Sequence, residues 1–275
     1  MSDITGKTMS DIWYNLYKML YYKGEHVESR IGGTNHITDF TFCLEDPTQS
    51  VVYSKIRKTS FKYLVAELIW YFSGDNSVDF IGKHAKMWNS LSDDGKTVNS
   101  AYGYRIMKMF GFNQLEFVID KLKKNPYDRQ AVIHIKDASN KPTKDTPCTC
   151  LLQFTNFNGK LNCHTYMRSN DIWFGTPYDV VFFTILQQIV SIETGIPLGK
   201  YYHTIGDLHI YDKNRVEPEM ITADTICEGS SITLDKSYKD VLHGLKHALE
   251  SNFEDDGTLP AFIKNLKEVK DGLKD

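Results

Sequence analysis

The 275-residue sequence has little net charge, few cysteines and no long apolar run. Its 32 Lys and Arg are balanced by 35 Asp and Glu, which gives a net charge of −3 and excludes the basic field typical of nucleic-acid-binding proteins. The most apolar segment, 180–192, is interrupted by Thr184, Gln187 and Gln188 and is shorter than the ~20 residues of a membrane span. The N-terminal residues lack the basic and apolar regions of a secretory signal. We therefore expect a cytoplasmic protein that binds small molecules, without a membrane or nucleic-acid partner.

The five cysteines form an odd, unevenly spaced set, which favours a reducing compartment over a disulfide framework. They are Cys43, Cys148, Cys150, Cys163 and Cys227. A zinc site that combines Cys148 and Cys150 with Cys163 is disfavoured, because the usual structural-zinc knuckle has two residues between its cysteines. The sequence therefore predicts no metal site.

Hydrophobic residues make up 41% of the chain, so a single domain over residues 1–275 can bury a substantial core. Apolar spacing predicts both helices and strands, which indicates an α/β or α+β fold. The predicted helices are 10–23, 60–73, 114–124, one opened by 175–179, and one near 262–269. The predicted strands are 40–44, 130–136, 150–155, 161–168 and 201–211, and we expect segment 76–112 to be mostly loop and short helix that lines a site.

Glu67 lies inside a predicted core helix, among aromatic and aliphatic neighbours at three and four residues. It either extends to the surface or pairs with a buried arginine, or it is a half-buried carboxyl with a raised pKa that can move protons. The sequence alone leaves both interpretations open.

Cys148 is either an ordinary buried thiol or a nucleophile. The second interpretation gains from Arg168 on the neighbouring hairpin strand, because a guanidinium near a thiol favours the reactive thiolate. Arg30, on a predicted loop, and Arg129, at a strand end, are two further cations; the three are either unrelated surface residues or the binding site of a phosphate.

Two other groups of polar residues have structural and functional interpretations. Thr176 is predicted as the N-cap of the apolar helix, which makes Asp179 its third residue and an acid that complements the helix dipole. If no bulge intervenes at Gly206, strict alternation over 201–211 places His203, Asp207, His209 and Tyr211 on one face. His209 and Tyr211 are then either buried polar residues satisfied by backbone groups or donors to a sugar hydroxyl.

Several motifs, in the right order over residues 9–215, resemble the thymidylate synthase family and its pyrimidine hydroxymethylase relatives. They are ELIWYFSGD at 67–75, NPYDRQ at 125–130, PC at 147–148, RSND at 168–171, GTPYD at 175–179 and GDLHIY at 206–211. The resemblance implies an α/β fold with a large mixed sheet packed by helices, whose sheet forms the interface of a homodimer. It leaves residues 216–275 poorly matched.

The same resemblance implies chemistry on a pyrimidine nucleotide with 5,10-methylenetetrahydrofolate as co-substrate. By position, Cys148 is the nucleophile that adds to C6 of the base, Glu67 organises water and protons, and Tyr102 lies beside the reacting carbons. The implied phosphate ligands are Arg30, Arg168, Ser169 and, across the dimer, Arg129; the implied sugar ligands are His209 and Tyr211. The implied folate contacts are Trp88, Asp171, Gly175 and Tyr178.

Asp179 is the departure that indicates the substrate. Synthases that act on dUMP have an asparagine there, since an amide accepts from N3–H and donates to O4 of uracil. Cytosine has an amino donor at C4 and an N3 that becomes protonated as C6 is attacked, so a carboxyl suits it. Asp179, Thr149 after the nucleophile and the sequence before Tyr102 are similar to the dCMP hydroxymethylase branch.

Other departures concern water and phosphate. Leu91 stands near the position of a second folate-stacking tryptophan, and the sequence ends LKEVKDGLKD rather than in a short apolar tail, so a less sealed pocket admits water. Gln130 replaces a second arginine and weakens one phosphate contact. Arg168 and Ser169 require a bend in the strand if both bind one phosphate.

The sequence therefore predicts a folate-dependent dCMP 5-hydroxymethylase, of the kind that supplies modified cytosine for phage DNA. The alternatives are a dCMP methyltransferase that releases dihydrofolate, a CMP hydroxymethylase, and a family member that binds nucleotide without turnover. Intact Cys148, Glu67 and Tyr102 argue against the last of these.

Overall fold

The computed structural model describes residues 3–29, 32–138, 142–221, 231–235, 237–254, 259 and 261–272. Arg30 and Cys227 lie outside the described residues. Within them, nine α-helices pack around one sheet. The helices are α1 (Met9–Lys23), α2 (Phe61–Phe72), α3 (Val78–His84), α4 (Met87–Leu91), α5 (Tyr102–Met107), α6 (Gln114–Lys124), α7 (Thr176–Thr194), α8 (Tyr238–Glu250) and α9 (Ala261–Gly272).

The eight strands of the described chain form a single mixed sheet in the order β1-β3-β8-β6-β5-β4, with β2 beside β3 and β7 beside β8. They are β1 (Ile4–Gly6), β2 (Glu25–Ser29), β3 (Gly32–Leu44), β4 (Val132–His134), β5 (Thr149–Phe157), β6 (Lys160–Met167), β7 (Asn170–Asp171) and β8 (Leu198–Tyr211). The pairs β1–β3, β6–β8 and β7–β8 are parallel, and the other pairs are antiparallel. The predicted α/β fold with a large mixed sheet is confirmed.

Local sequence signals set several element ends. Ser60 caps α2 by accepting a hydrogen bond from Tyr63 N, and Asn113 caps α6 in the same way. Asn158 and Gly159 both have positive φ and join β5 to β6 in the predicted hairpin. Segment 76–112 consists of short helices and loops, as its irregular pattern predicts.

The two faces of the sheet differ in burial. Alternate residues, among them Phe154, Cys163 and Tyr201, are fully buried on the face that packs against the helices. On the opposite face the ring of His164 stacks on Tyr202 at 4.6 Å, and both remain accessible to solvent. The chain therefore leaves one sheet face open.

Strand β8 changes its pattern of burial at Gly206. Tyr201, His203 and Ile205 are buried before it, whereas Leu208 and Ile210 are buried after it. The alternation predicted over 201–211 fails although the β3–β8 register is the same on both sides of Gly206. Opposite Gly206, Asp39 of β3 has a left-handed backbone with φ 54°, and the buried positions of β8 shift by one residue at this point. His203 is consequently in the core, bonded through Nδ1 to the Tyr201 hydroxyl at 2.6 Å, and does not share the surroundings of His209.

The C-terminal residues pack on helices that lie behind the sheet's buried face. Gln188 of α7 accepts from Leu234 N and donates to Ile232 O, and the Tyr238 hydroxyl of α8 donates to Phe72 O. Both α8 and α9 contact α2. These contacts anchor the C-terminal helices to the helix that carries Glu67. Among the described helices, none is long and apolar enough to cross a bilayer.

Candidate active site

Cys148 lies immediately before β5, where the bend after β6 brings Arg168 next to it. Arg168 Nη2 is 3.7 Å from Cys148 Sγ, and the same guanidinium donates to the carbonyl oxygens of Thr146 and Pro147. These two hydrogen bonds to backbone carbonyls hold the guanidinium beside the thiol, so the position of its positive charge is fixed.

Burial determines the resting state of this thiol. It raises the pKa of Cys148 to about 11, although the neighbouring Arg168 acts to lower it. The prediction that Arg168 favours the thiolate holds for the direction of its effect but not for the outcome, because desolvation outweighs one cation. At neutral pH the free site therefore holds a thiol.

Glu67 is buried and is bonded to tyrosines rather than to a basic residue. The Tyr63 hydroxyl donates to Glu67 Oε1 at 2.6 Å, and Tyr71, one turn later, lies at 3.5 Å. Trp88 Nε1 donates to the Tyr63 hydroxyl at 3.1 Å, which extends this series of hydrogen bonds to α4. Burial raises the pKa of Glu67 to about 7 despite these two donors. The interpretation of Glu67 as a surface or arginine-paired residue is wrong.

We expect Glu67→Gln to stabilise the protein at alkaline pH. The folded-state pKa of Glu67 is about 7 and its ordinary value is 4.5, so ionisation costs nothing below pH 4.5 and progressively more as the pH rises through 7. The full cost is about 3 kcal/mol. Urea unfolding at pH 8 should show a gain in the free energy of unfolding that approaches this value.

The exposed Glu28→Gln serves as the matched control for that prediction. At pH 4 the Glu67→Gln variant should unfold at the same urea concentration as the wild type. A gain at pH 4 equal to that at pH 8 would show that ionisation of Glu67 is not its cause.

Asp179 extends from the first turn of α7 into the same cleft. Its Oδ2 accepts from Asn170 Nδ2 at 2.9 Å, and burial, reinforced by Glu67, raises the pKa of Asp179 well above its ordinary value. The N-cap of α7 is Gly175, so Asp179 is the fourth helical residue, and Thr176 instead donates its hydroxyl to Asn170. The predicted cap at Thr176 is wrong because its hydroxyl is used in a tertiary contact.

Tyr102 completes the centre of the site. It is buried at the start of α5, stacks on Tyr71 at 5.2 Å, and its pKa is raised by burial and then by Asp179 and Cys148. A Cβ on Gly103 would overlap the Tyr71 carbonyl, so only glycine lets α5 approach α2 this closely. Cys148, Glu67, Tyr102 and Asp179 are thus brought together from four separate elements.

The predicted sugar and phosphate residues are divided between two regions. The chain bends at Arg168 and Ser169 between β6 and β7, as a shared phosphate site requires. His209 Nδ1 lies 3.4 Å from Asp207 Oδ1, and Asp207 Oδ2 lies 3.2 Å from His36 Nδ1 on β3. Arg129 is exposed in a surface depression lined by its loop.

Tyr211 and the predicted folate residues are held by ring contacts and backbone hydrogen bonds. Tyr211 packs edge-on against His209 at 5.4 Å. Tyr178 packs edge-on against Tyr63 at 4.9 Å. Asp171 Oδ1 accepts from Trp173 N and Phe174 N, which shapes the turn that contains Gly175. Trp88 is 7% exposed, so little of its ring is accessible to solvent.

Sequence reasoning missed four residues that support this site. Tyr63 and Tyr71 lie one helical turn before and after Glu67 in the sequence. Their hydroxyls at this spacing could have indicated hydrogen bonds to the Glu67 carboxyl. Arg57 lies over the ring of Tyr178 at 4.9 Å, and Asn170 bonds to Asp179. No local pattern indicated these two contacts.

The protein has an α/β fold whose candidate site combines a buried thiol with two carboxyls of raised pKa. The family model for thymidylate synthase matches residues 11–246. The chain belongs to the thymidylate synthase family.

Membership makes it a one-carbon transferase that modifies C5 of a pyrimidine nucleotide, with methylenetetrahydrofolate as the family's co-substrate. The match continues to residue 246 and so includes much of α8, beyond the motifs that end near residue 215. In the part of the chain that the structure describes, no group of three or more His, Cys, Asp or Glu is arranged to hold a metal.

Proposed function

We propose that the protein is a dCMP 5-hydroxymethylase, which converts dCMP, methylenetetrahydrofolate and water to 5-hydroxymethyl-dCMP and tetrahydrofolate. The observation that carries the proposal is the Asp179 carboxyl, whose pKa burial raises well above its ordinary value. A protonated carboxyl donates to N3 of cytosine and accepts from the 4-amino group. It can also release its proton to N3, which an amide cannot do.

Covalent catalysis assigns the first step to Cys148. The Cys148 thiol first loses its proton to water. The thiolate then bonds through Sγ to C6, the C5=C6 π electrons move to C4–C5, the C4=N3 π electrons move to N3, and N3 takes the Asp179 proton. This makes C5 a carbon nucleophile. Arg168, at 3.7 Å, stabilises the thiolate electrostatically.

Glu67 and Tyr102 are suited to the proton transfers at C5. A carboxyl with a pKa of about 7 can both accept and return a proton near neutral pH. The Tyr63 hydroxyl at 2.6 Å orients the Glu67 carboxyl, and Tyr102 is close enough to Cys148 and Asp179 for both to raise its pKa. Glu67 can thus activate the water that adds to the methylene group on C5.

The co-substrate supplies a one-carbon unit at the oxidation level of formaldehyde. Tyr178 and the exposed part of Trp88 provide aromatic surface beside Glu67, which fits a flat heterocycle. Asp171 and Gly175 form the adjacent turn. Leu91 ends α4 as an aliphatic residue near the position of a second stacking tryptophan, which supports access of water.

The proposal includes a homodimer formed through the open sheet face. That face carries accessible aromatic residues, among them Tyr166 at 42% exposure. Gln153, on the same face, donates to Arg129 O at 3.2 Å, so Arg129 lies at the edge of this face. In a dimer joined there, Arg129 can reach the phosphate site of the partner and bind the phosphate together with the partner's copies of Arg30, Arg168 and Ser169. Within each protomer, His209 and Tyr211 bind the sugar.

An isotope-release assay tests the reaction. With dCMP, dUMP and CMP each tritiated at C5, we expect folate-dependent release of tritium from dCMP, and no parallel rise in dihydrofolate absorbance. Release from dUMP alone would contradict the assignment of cytosine to Asp179. Dihydrofolate formed in step with tritium release from dCMP would show a methyltransferase, and release from CMP alone would show a ribonucleotide substrate.

A further inference from the structure

A hydrogen-bonded chain joins β7 to the first turn of α7 directly beside Asp179. Thr176 Oγ1 donates to Asn170 Oδ1 at 2.7 Å, and Asn170 Nδ2 donates to Asp179 Oδ2 at 2.9 Å. Thr176 and Asn170 are 0% and 3% exposed. Because the Thr176 hydroxyl occupies the carbonyl end of the amide, the amide nitrogen is directed at the Asp179 carboxyl.

The backbone packs closely around the hydrogen bonds that join Thr176, Asn170 and Asp179. A Cβ on Gly175 would lie 3.0 Å from Asn170 Nδ2 and 3.1 Å from Asp179 Oδ2, the two atoms that the hydrogen bond joins. The Thr176 hydroxyl also lies 3.2 Å from Asp171 O, which fixes it against the turn before α7. The geometry of the Asn170 amide is therefore set by packing on both sides.

The titratable groups that face Asp179 from the surrounding elements are acids or phenols and a thiol. They are Glu67 and Tyr71 on α2, Tyr102 on α5, Cys148 before β5, Asp171 on β7 and Tyr201 on β8. No cation is among these described groups. An ionised Asp179 therefore depends on the Asn170 N–H for stabilisation, and a buried carboxylate without a donor is costly.

We propose that Asn170 is a positioning residue that stabilises the carboxylate left on Asp179 when its proton moves to N3 of cytosine. The inference rests on the proposed function. As the Cys148 thiolate bonds to C6, negative charge leaves sulfur, the displaced electron pair is accommodated by protonation of N3, and the charge is then on Asp179. Charge is conserved, and it ends on the oxygen pair that Asn170 contacts.

Asn170→Ala should therefore impair turnover more than binding. We expect kcat for tritium release from dCMP to fall about 10- to 100-fold, the effect of losing a hydrogen bond to a developing charge, with KM changed less than about threefold. Turnover requires protonated Asp179, so the alkaline limb of the kcat profile reports its pKa. Loss of the donor should move that limb to higher pH.

Two matched comparisons separate this role from a merely structural one. Thr176→Val removes the hydroxyl that holds the amide and should reproduce part of the loss, whereas Thr176→Ser keeps the hydroxyl and should restore it. In an Asp179→Asn background, dUMP turnover needs no proton transfer from residue 179, so adding Asn170→Ala should cost less than about threefold. A thermal melt of each variant confirms that it is folded.

The outcomes test the role of Asn170 and the proposed function separately. A large kcat loss with dCMP and a shifted alkaline limb, together with a small effect in the Asp179→Asn background, support the role of Asn170. Equal losses of kcat on Asn170→Ala in the wild-type and Asp179→Asn backgrounds, with an unshifted alkaline limb, would overturn the role of Asn170. No loss in either background would do the same. In both cases dCMP turnover by the wild type, and with it the proposed function, would still stand. A wild type that releases tritium from dUMP and not from dCMP would overturn the proposed function, and the role of Asn170 with it.

Discussion

Cys148→Ala is expected to lower folate-dependent tritium release from dCMP by about 10⁴-fold or more, because covalent addition at C6 has no substitute in the site. The substitution removes one sulfur at 3.7 Å from Arg168 and leaves the backbone bond from Arg168 N to Cys148 O intact. Nucleotide binding should therefore remain within a few-fold of the wild type. Single-turnover assays and equilibrium binding of dCMP measure the two effects separately.

Cys150→Ala provides the matched control for this experiment. Cys150 is a free, half-buried cysteine two residues away, and its carbonyl accepts hydrogen bonds from Ile135 N and Lys136 N, which an alanine keeps. Its substitution should leave tritium release unchanged. Normal turnover by Cys148→Ala would refute the nucleophile.

Asp179→Asn is expected to reverse the preference between dCMP and dUMP. The amide cannot give a proton to N3, so kcat/KM for dCMP should fall by about 10³-fold, whereas dUMP gains an acceptor for N3–H and a donor for O4. The ratio of the two kcat/KM values should change by at least that factor. Competition between the two tritiated nucleotides measures this ratio in one reaction.

Asp120→Asn makes the same substitution on the exposed surface of α6 and serves as the control. It should leave the ratio of the kcat/KM values for dCMP and dUMP unchanged. An Asp179→Asn variant that keeps the wild-type ratio would show that this carboxyl does not select the base. Loss of both activities with a lowered melting temperature would instead assign Asp179 a structural role.

Local patterns predicted most of the elements and the residues of the site. Ser60 caps the helix that follows it, and the Asn158–Gly159 turn joins β5 to β6, because these features depend on residues a few positions apart. Glu67 stood out for the same reason. Its apolar neighbours on a helix left two interpretations open, and only the structure shows the carboxyl buried against the hydroxyls of Tyr63 and Tyr71.

Contacts between distant parts of the chain were not predictable in this way. Thr176 has the sequence of an N-cap, but its hydroxyl bonds to Asn170 across the β7–α7 turn. Arg168 lies beside Cys148 as expected, yet burial of the sulfur outweighs it and raises the pKa to about 11. The sign of a pKa shift depends on the balance of desolvation and charge, which residue types alone do not provide.

The sequence by itself determined which residues are candidates for the nucleophile and the carboxyls of the site, and most of the elements that carry them, since residue type and short-range spacing are fixed along the chain. The tertiary structure alone decided their protonation and their partners. The sheet order places β6 beside both β5 and β8, and so brings Cys148, Arg168 and His209 to one region. Burial there raises the pKa of Cys148 to about 11 and the pKa of Asp179 well above its ordinary value. The Asn170 amide meets Asp179 only because β7 ends against the first turn of α7.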